Sequence, residues 1–241
     1  MARKHDLRNI RSGTVINVRS KKQERRLQEA LQTVEKELVG KFGVRLAFKR
    51  RWYLKDIVAD LRERVPSVDF HYEFETSHMR PDGGILCMTD ADGREYPILI
   101  TEVKNQGTND LRVAEGKRRQ AKGNAIERLG KNVIGFRTAL REEAIFPFIC
   151  FGDGCDFAED SSIRDRVVTI AQFGELNKIY LHDQGDKGRF DRGSFFFRHL
   201  KWTADDMIPP MVEIAKGAVY YYFSKYGEEG FREEAEDATG E

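Results

Sequence analysis

Asp82, Glu102 and Lys104 have the types and order that hydrolysis of a phosphodiester needs. Carboxylates are hard oxygen ligands that suit Mg²⁺. The ion offsets charge on the pentacovalent transition state and lowers the pKa of a bound water. A nearby ammonium orients that water and stabilises developing negative charge. Without a metal, two adjacent carboxylates resist joint ionisation. Glu102 and Lys104 lie two apart in a strand-like run, so both point to one face, while Val103 between them points into the core. By spacing alone, the same residues also describe a turn aspartate followed by an edge strand with an exposed Glu and Lys.

Two strands and a turn must bring these groups together. Pro81-Asp82-Gly83-Gly84 is a turn signal leading into a strand over 85–89, and a polar turn at 90–93 leads into a strand over 96–104. Upstream, Leu27, Ala30, Leu31, Val34 and Leu38 have helical spacing within 21–39, and 54–64 reads as a second helix. Residues 68–75 alternate apolar and polar, which predicts a strand. Downstream come a basic loop over 105–123, a helix from Asn124 to about Glu143, a buried strand over 145–151 and a further helix over 162–172. A Gly-rich loop over 182–193, an apolar run over 194–197 and a helix over 203–224 interrupted at Pro209-Pro210 follow. Strands alternating with helices predict an α/β domain with a mixed sheet and helices on both faces. No repeat or sharp linker appears, so residues 1–241 are expected to form one domain.

A second group of residues suits DNA. Asn124 is placed to start a helix, which puts Asn124, Glu127 and Arg128 near a helix N-terminus, where a groove or phosphate is met. Asn pairs bidentately with adenine, and Arg with guanine edges or phosphates. Glu127 could orient neighbouring arginines. Arg112, Lys117, Arg118, Arg119 and Lys122 make the preceding loop basic. An ordinary capped amphipathic helix would show the same Asn.

The net charge of +1 conceals an asymmetry. Residues 1–26 hold nine Lys and Arg against Asp6 and Glu24, while 228–241 is acidic. The first 20 residues read as a flexible arm able to contact phosphates, and 228–241 as a disordered tail. Cys87, Cys150 and Cys155 match no zinc pattern and read as buried apolar residues, and the five histidines form no close pair. A zinc or histidine-based centre is therefore poorly supported. With no bilayer-length apolar stretch or signal-like start, a cytoplasmic protein is the default.

Together, Pro81-Asp82-Gly83-Gly84-Ile85, Glu102-Val103-Lys104-Asn105-Gln106-Gly107 and Gly123-Asn124-Ala125-Ile126-Glu127-Arg128 followed by Lys131-Asn132 resemble the EcoRI family of type II restriction endonucleases. The Asp-to-Glu spacing agrees, and the Gly-Asn-Ala-Ile-Glu-Arg run is also similar to that of the MunI relatives. Phe146-Pro147-Phe148, Gly154-Cys155-Asp156-Phe157 and Arg189-Phe190-Asp191-Arg192 continue the likeness, which covers roughly residues 75–195. The resemblance implies a PD-(D/E)xK restriction-endonuclease-like fold. It also implies a homodimer that cuts palindromic double-stranded DNA with Mg²⁺, leaving 5′ overhangs. Asp82, Glu102 and Val103 would form the metal site, with Lys104 assisting the attacking water. Asn124, Ala125, Glu127 and Arg128 would read an AATT core, as in GAATTC. Gln106 would lie near a thymine, and Arg189 and Arg192 would contact DNA and the outer G·C pair. Lys117, Lys122 and Gly123 would complete the DNA-binding set. The loop before Gly123 is shorter than in the family's type member, which leaves the outer base pair open. An adenine-specific methyltransferase in the same host is implied. A PD-(D/E)xK repair nuclease and a non-cleaving DNA-binding protein are the alternatives.

Overall fold

A computed structural model describes residues 15–105, 114–117, 124–154, 157, 180–181 and 193–232, without the side chains of 15–20, 105, 124–128 and 180–181. The described elements are α1 (Val15–Phe42), β1 (Leu46–Lys49), β2 (Trp52–Tyr53), α2 (Leu54–Arg64), β3 (His78–Met79), β4 (Gly84–Thr89), β5 (Glu95–Asn105), α3 (Asn124–Ala139), β6 (Phe148–Asp153), β7 (Tyr180–Leu181), β8 (Ser194–Arg198) and α4 (Ala204–Tyr226). Six strands form one mixed sheet in the order β1-β4-β5-β6-β8-β7. The β1/β4 and β4/β5 pairs are antiparallel, and β5, β6, β8 and β7 run parallel to their neighbours. The short β2 and β3 pair separately.

The strand alternation explains the layers. Leu86, Met88, Ile149 and Phe151 enter one core with Leu27, Leu31, Val34 and Leu38 of α1 and Met211, Ala215 and Tyr222 of α4. Ile85, Cys87, Phe148, Cys150, Phe195 and Phe197 enter the other, with Leu129, Phe136 and Leu140 on the α3 side. Residues of opposite parity thus fall on opposite faces, as a pleated strand requires. Both faces are covered, so the strands read as nearly continuous apolar runs. Among the described residues, no helix is long and apolar enough to cross a membrane.

Several expectations change. Residues 68–75 are not a strand; they form an irregular connection in which Phe74 is exposed, and the strand is the two-residue β3 that follows. Alternating apolarity without a neighbouring strand to supply hydrogen bonds did not suffice. α1 starts earlier than residue 21, so 15–20 of the expected arm are helical. α3 ends at Ala139 rather than near Glu143. The expected break at Pro209-Pro210 is absent: α4 runs through both prolines. Lacking N–H groups, the prolines cannot donate to the carbonyls of Asp205 and Asp206. That loss is offset by a capping box at Thr203 and Asp206 and by a long buried face. The acidic tail begins packed, with Phe231 buried against Tyr96 and Phe223 and Arg232 bridged to Val44. The expected helix over 162–172 and residues 233–241 lie outside the described residues.

Candidate active site

The Pro81–Gly84 turn places Asp82 against the end of β5. Gly84 N–H donates to the Pro81 carbonyl at 3.3 Å, and Gly83 N–H to the Thr101 carbonyl at 2.9 Å. From α1, Gln28 Nε2 donates to the Gly83 carbonyl at 2.8 Å. Both glycines are needed for close approach. A Cβ on Gly83 would overlap Thr101 Oγ1 and Leu27, and one on Gly84 would lie 2.5 Å from the Phe48 ring and 2.9 Å from the Lys49 carbonyl. Gly84 also has φ +87°, the left-handed region that glycine enters without penalty.

Glu102 and Lys104 share the face of β5 that carries Ile100, and Val103 points into the opposite core, as expected. Glu102 is 1% exposed. Its Oε2 accepts from the Asp82 backbone N–H at 2.9 Å, and its Oε1 from Asn132 Nδ2 at 3.1 Å. Lys104 Nζ donates to both carboxylates: to Asp82 Oδ2 at 2.9 Å and to Glu102 Oε1. The three sequence-chosen groups therefore meet in one hydrogen-bonded cluster.

The electrostatics follow from this crowding. Burial, aided by the Asp82 charge and opposed by Lys104, pushes the Glu102 carboxyl above its ordinary pKa. Burial would release the Lys104 proton, but Glu102 and Asp82 outweigh it and hold that pKa well above the ordinary lysine value. Lys104 is therefore an ammonium at neutral pH, a donor and point charge rather than a base. Glu24 of α1 shares the cleft at Asp82 with Lys21, Arg25, Arg50 and Arg80, and burial together with the Asp82 charge raises its pKa.

The donor set fits a divalent cation. Two carboxylates share one ammonium, which leaves carboxylate oxygens to accept a cation, while basic side chains line the cleft beside them. A carbonyl is added by strand geometry. Ile100 N–H faces β6, donating to Pro147 O, and the Thr101 carbonyl faces β4, accepting from Gly83. Backbone groups alternate sides, so the Val103 carbonyl faces the β4 side beyond the last β4 pair at Gly84. Among the described residues no three His, Cys, Asp or Glu side chains form a closed cage. An open site with two carboxylates suits Mg²⁺, which keeps several waters and binds substrate phosphate oxygens.

The DNA-binding candidates are placed less completely. Asn124, Ala125, Glu127 and Arg128 form the first turns of α3, with side chains outside the described residues. Lys117 is exposed and donates to Glu115 Oε2 at 2.5 Å. Gln106, Lys122, Gly123, Arg189 and Arg192 lie outside the described residues. Gln28 and Asn132 were not singled out from sequence as supports. Asn132 did leave a signal, a polar residue on the stripe Leu129, Val133, Phe136 that buries α3.

Comparison with known proteins shows the family. The family model described as restriction endonuclease EcoRI matches residues 11–164. The type II restriction enzyme RsrI of Cereibacter sphaeroides is 31% identical over 196 residues, spanning 67% of this chain and 70% of that protein. The type II restriction enzyme EcoRI of Escherichia coli is 31% identical over 166 residues, spanning 63% of this chain and 60% of that protein. The matched region contains Asp82, Glu102, Lys104 and all of α3, and the mixed sheet flanked by helices is the PD-(D/E)xK arrangement of these enzymes. The chain belongs to the EcoRI family of type II restriction endonucleases.

Proposed function

We propose that this protein hydrolyses phosphodiester bonds in palindromic double-stranded DNA with Mg²⁺, at an AATT-centred hexamer such as GAATTC, leaving 5′ overhangs. The observation that carries this reading is the meeting of Asp82 and Glu102 on one Lys104 ammonium at the end of β5, beside a cleft rimmed by four basic side chains. Asp82, Glu102 and the Val103 carbonyl would hold the metal, which when bound would supply charge neutralisation and an acidified water. Lys104, kept protonated by the two carboxylates, would donate a hydrogen bond to the attacking water or to a non-bridging phosphate oxygen. Asn132 and the Asp82 N–H keep Glu102 aligned.

Asn124, Ala125, Glu127 and Arg128, with Gln106, Lys117, Lys122, Gly123, Arg189 and Arg192, contact the duplex. A reading segment carried once per subunit accounts for a palindrome when two subunits are related by a two-fold axis, so the active form is a homodimer. Each good bidentate base contact contributes about 1–3 kcal/mol of discrimination. The enzyme acts in the cytoplasm within a restriction–modification system, where an adenine-specific methyltransferase protects host sites.

Digestion of a random-sequence duplex pool with Mg²⁺ tests this. Cutting confined to one palindrome is expected, and the pool reports its outer base pair. Sequence-independent cutting would indicate a repair-type nuclease, and selective binding without cutting a non-enzymatic protein; either overturns the proposal.

A further inference from the structure

α3 touches Glu102 and the segment that leads to Asp82. At Asn132 its side-chain amide donates to Glu102 Oε1. One turn later Gly135 packs so closely on Met79 that a Cβ there would overlap the Met79 sulfur. Met79 lies three residues before Asp82 on the strand that leads into the turn. Asn132 and Gly135 are i, i+3 neighbours, so one helix face braces both carboxylate-bearing segments. The same helix begins at Asn124, eight residues or about 12 Å before Asn132.

Asn132 is well suited to alignment. Glu102 is buried, and its Oε1 holds the Lys104 ammonium and the Asn132 amide. The amide adds a directed donor without another charge, so it sets the carboxylate's orientation while Lys104 sets its electrostatics. A helix moves as a rigid rod over two turns, so displacement at its N-terminus is carried to this donor. Misplacing a reacting group by about 1 Å costs about 100-fold in rate.

We infer that Asn132 is a positioning residue that ties the seating of α3 on DNA to the alignment of Glu102, so that a poorly seated helix lowers cleavage more than binding. This rests on the proposed roles of Glu102 and of the α3 N-terminus. It makes Asn132 a determinant of specificity with no base contact of its own.

The test compares Asn132→Leu, which keeps volume and removes the donor, with Asn132→Gln, which keeps an amide. The duplex is the palindrome recovered from the pool digestion. Metal-free affinity is measured in EDTA, and single-turnover cleavage with Mg²⁺ on that duplex and on a one-base variant. Asn132→Leu is expected to bind within about threefold of wild type, to cleave about 100-fold more slowly, and to need more Mg²⁺ for half-maximal rate. Its ratio of cognate to variant cleavage should shrink. Asn132→Gln should recover at least about tenfold of the lost rate, which a space-filling role would not predict. If Asn132→Leu does not fold, Asn132→Ala is the donorless variant and is read in the same way. Cleavage by the donorless variant within about threefold of wild type, equal impairment of the donorless and Gln variants, or loss of metal-free binding by a folded donorless variant would overturn the inference. Glu102→Gln is the control: if it cuts like wild type, the catalytic assignment beneath the inference has failed instead.

Discussion

At the residue scale, Glu102 concentrates the electrostatic conflict of the cluster. It is buried beside Asp82, which disfavours its charge, and three donors (Lys104, Asn132 and the Asp82 N–H) are aimed at it, which favour the charge. Glu102→Gln keeps the shape and removes the charge. Cleavage should fall on the order of 10³-fold, the scale of losing a preorganised electrostatic group, while metal-free binding to the cognate duplex persists. Gel-shift titration in EDTA beside a single-turnover cleavage assay checks this; loss of binding by a correctly folded variant would show that Glu102 serves the DNA interface instead.

At the element scale, the Pro81–Gly84 turn is positioned by its neighbours as much as by its own residues. α1 contributes Gln28 and Leu27, and β5 contributes Thr101. Gly83→Ala would drive a methyl into Thr101 and Leu27. The expected cost is about 1–3 kcal/mol, the scale of overpacking, with a loss of cleavage larger than stability alone explains, because Asp82 moves. Urea unfolding and cleavage measured on one preparation separate the two effects; an unchanged rate in a destabilised variant would mean that Asp82 tolerates displacement.

At the scale of the whole molecule, Glu143 is a clasp far from the carboxylate–lysine cluster in sequence. It follows the end of α3 and is 4% exposed. Arg64 of α2 donates to it at 3.2 Å, and Tyr221, Lys225 and Tyr226 of α4 donate at 2.9, 2.7 and 2.9 Å. Burial raises the carboxyl's pKa, but the bonds from Lys225, Tyr221 and Tyr226 outweigh it and hold the pKa below 4.5. The unfolded chain therefore binds the extra proton, so this stabilisation is present above about pH 4.5 and is lost as pH falls through the lower folded value. Glu143→Ala should cost about 1–3 kcal/mol, because its four donors lose a buried acceptor while Arg64 keeps Asp60. It should also flatten the acid side of the stability profile; an unchanged acid slope in a denaturant series would assign that slope to other carboxylates. Removal of residues 1–14, with Arg3, Lys4, Arg8 and Arg11, tests the arm. For every phosphate that the arm neutralises, its removal should reduce the salt slope of duplex binding by about 0.9. An unchanged slope would exclude the arm from the DNA interface.

Local rules made much of this legible. The stripe Leu27, Ala30, Leu31, Val34 and Leu38 became the buried face of α1, because helical spacing leaves one side to face a core. Glu102 and Lys104 share a face because a strand repeats every two residues, and Asp82 sits at a turn because Pro, Gly and Gly allow little else. Other features depended on partners distant in the chain. The alternation over 68–75 formed no strand, because strand formation needs a neighbour to accept its backbone hydrogen bonds. Pro209-Pro210 did not break α4, because burial of its long apolar face offsets two missing donors. Asn132 and Gln28 gained their roles where α3 and α1 cross the ends of β5 and β4. The residue types at the carboxylate–lysine cluster were written locally; which donors hold Glu102, and how deeply it is buried, were decided by packing, because those are contacts between elements that no local pattern encodes.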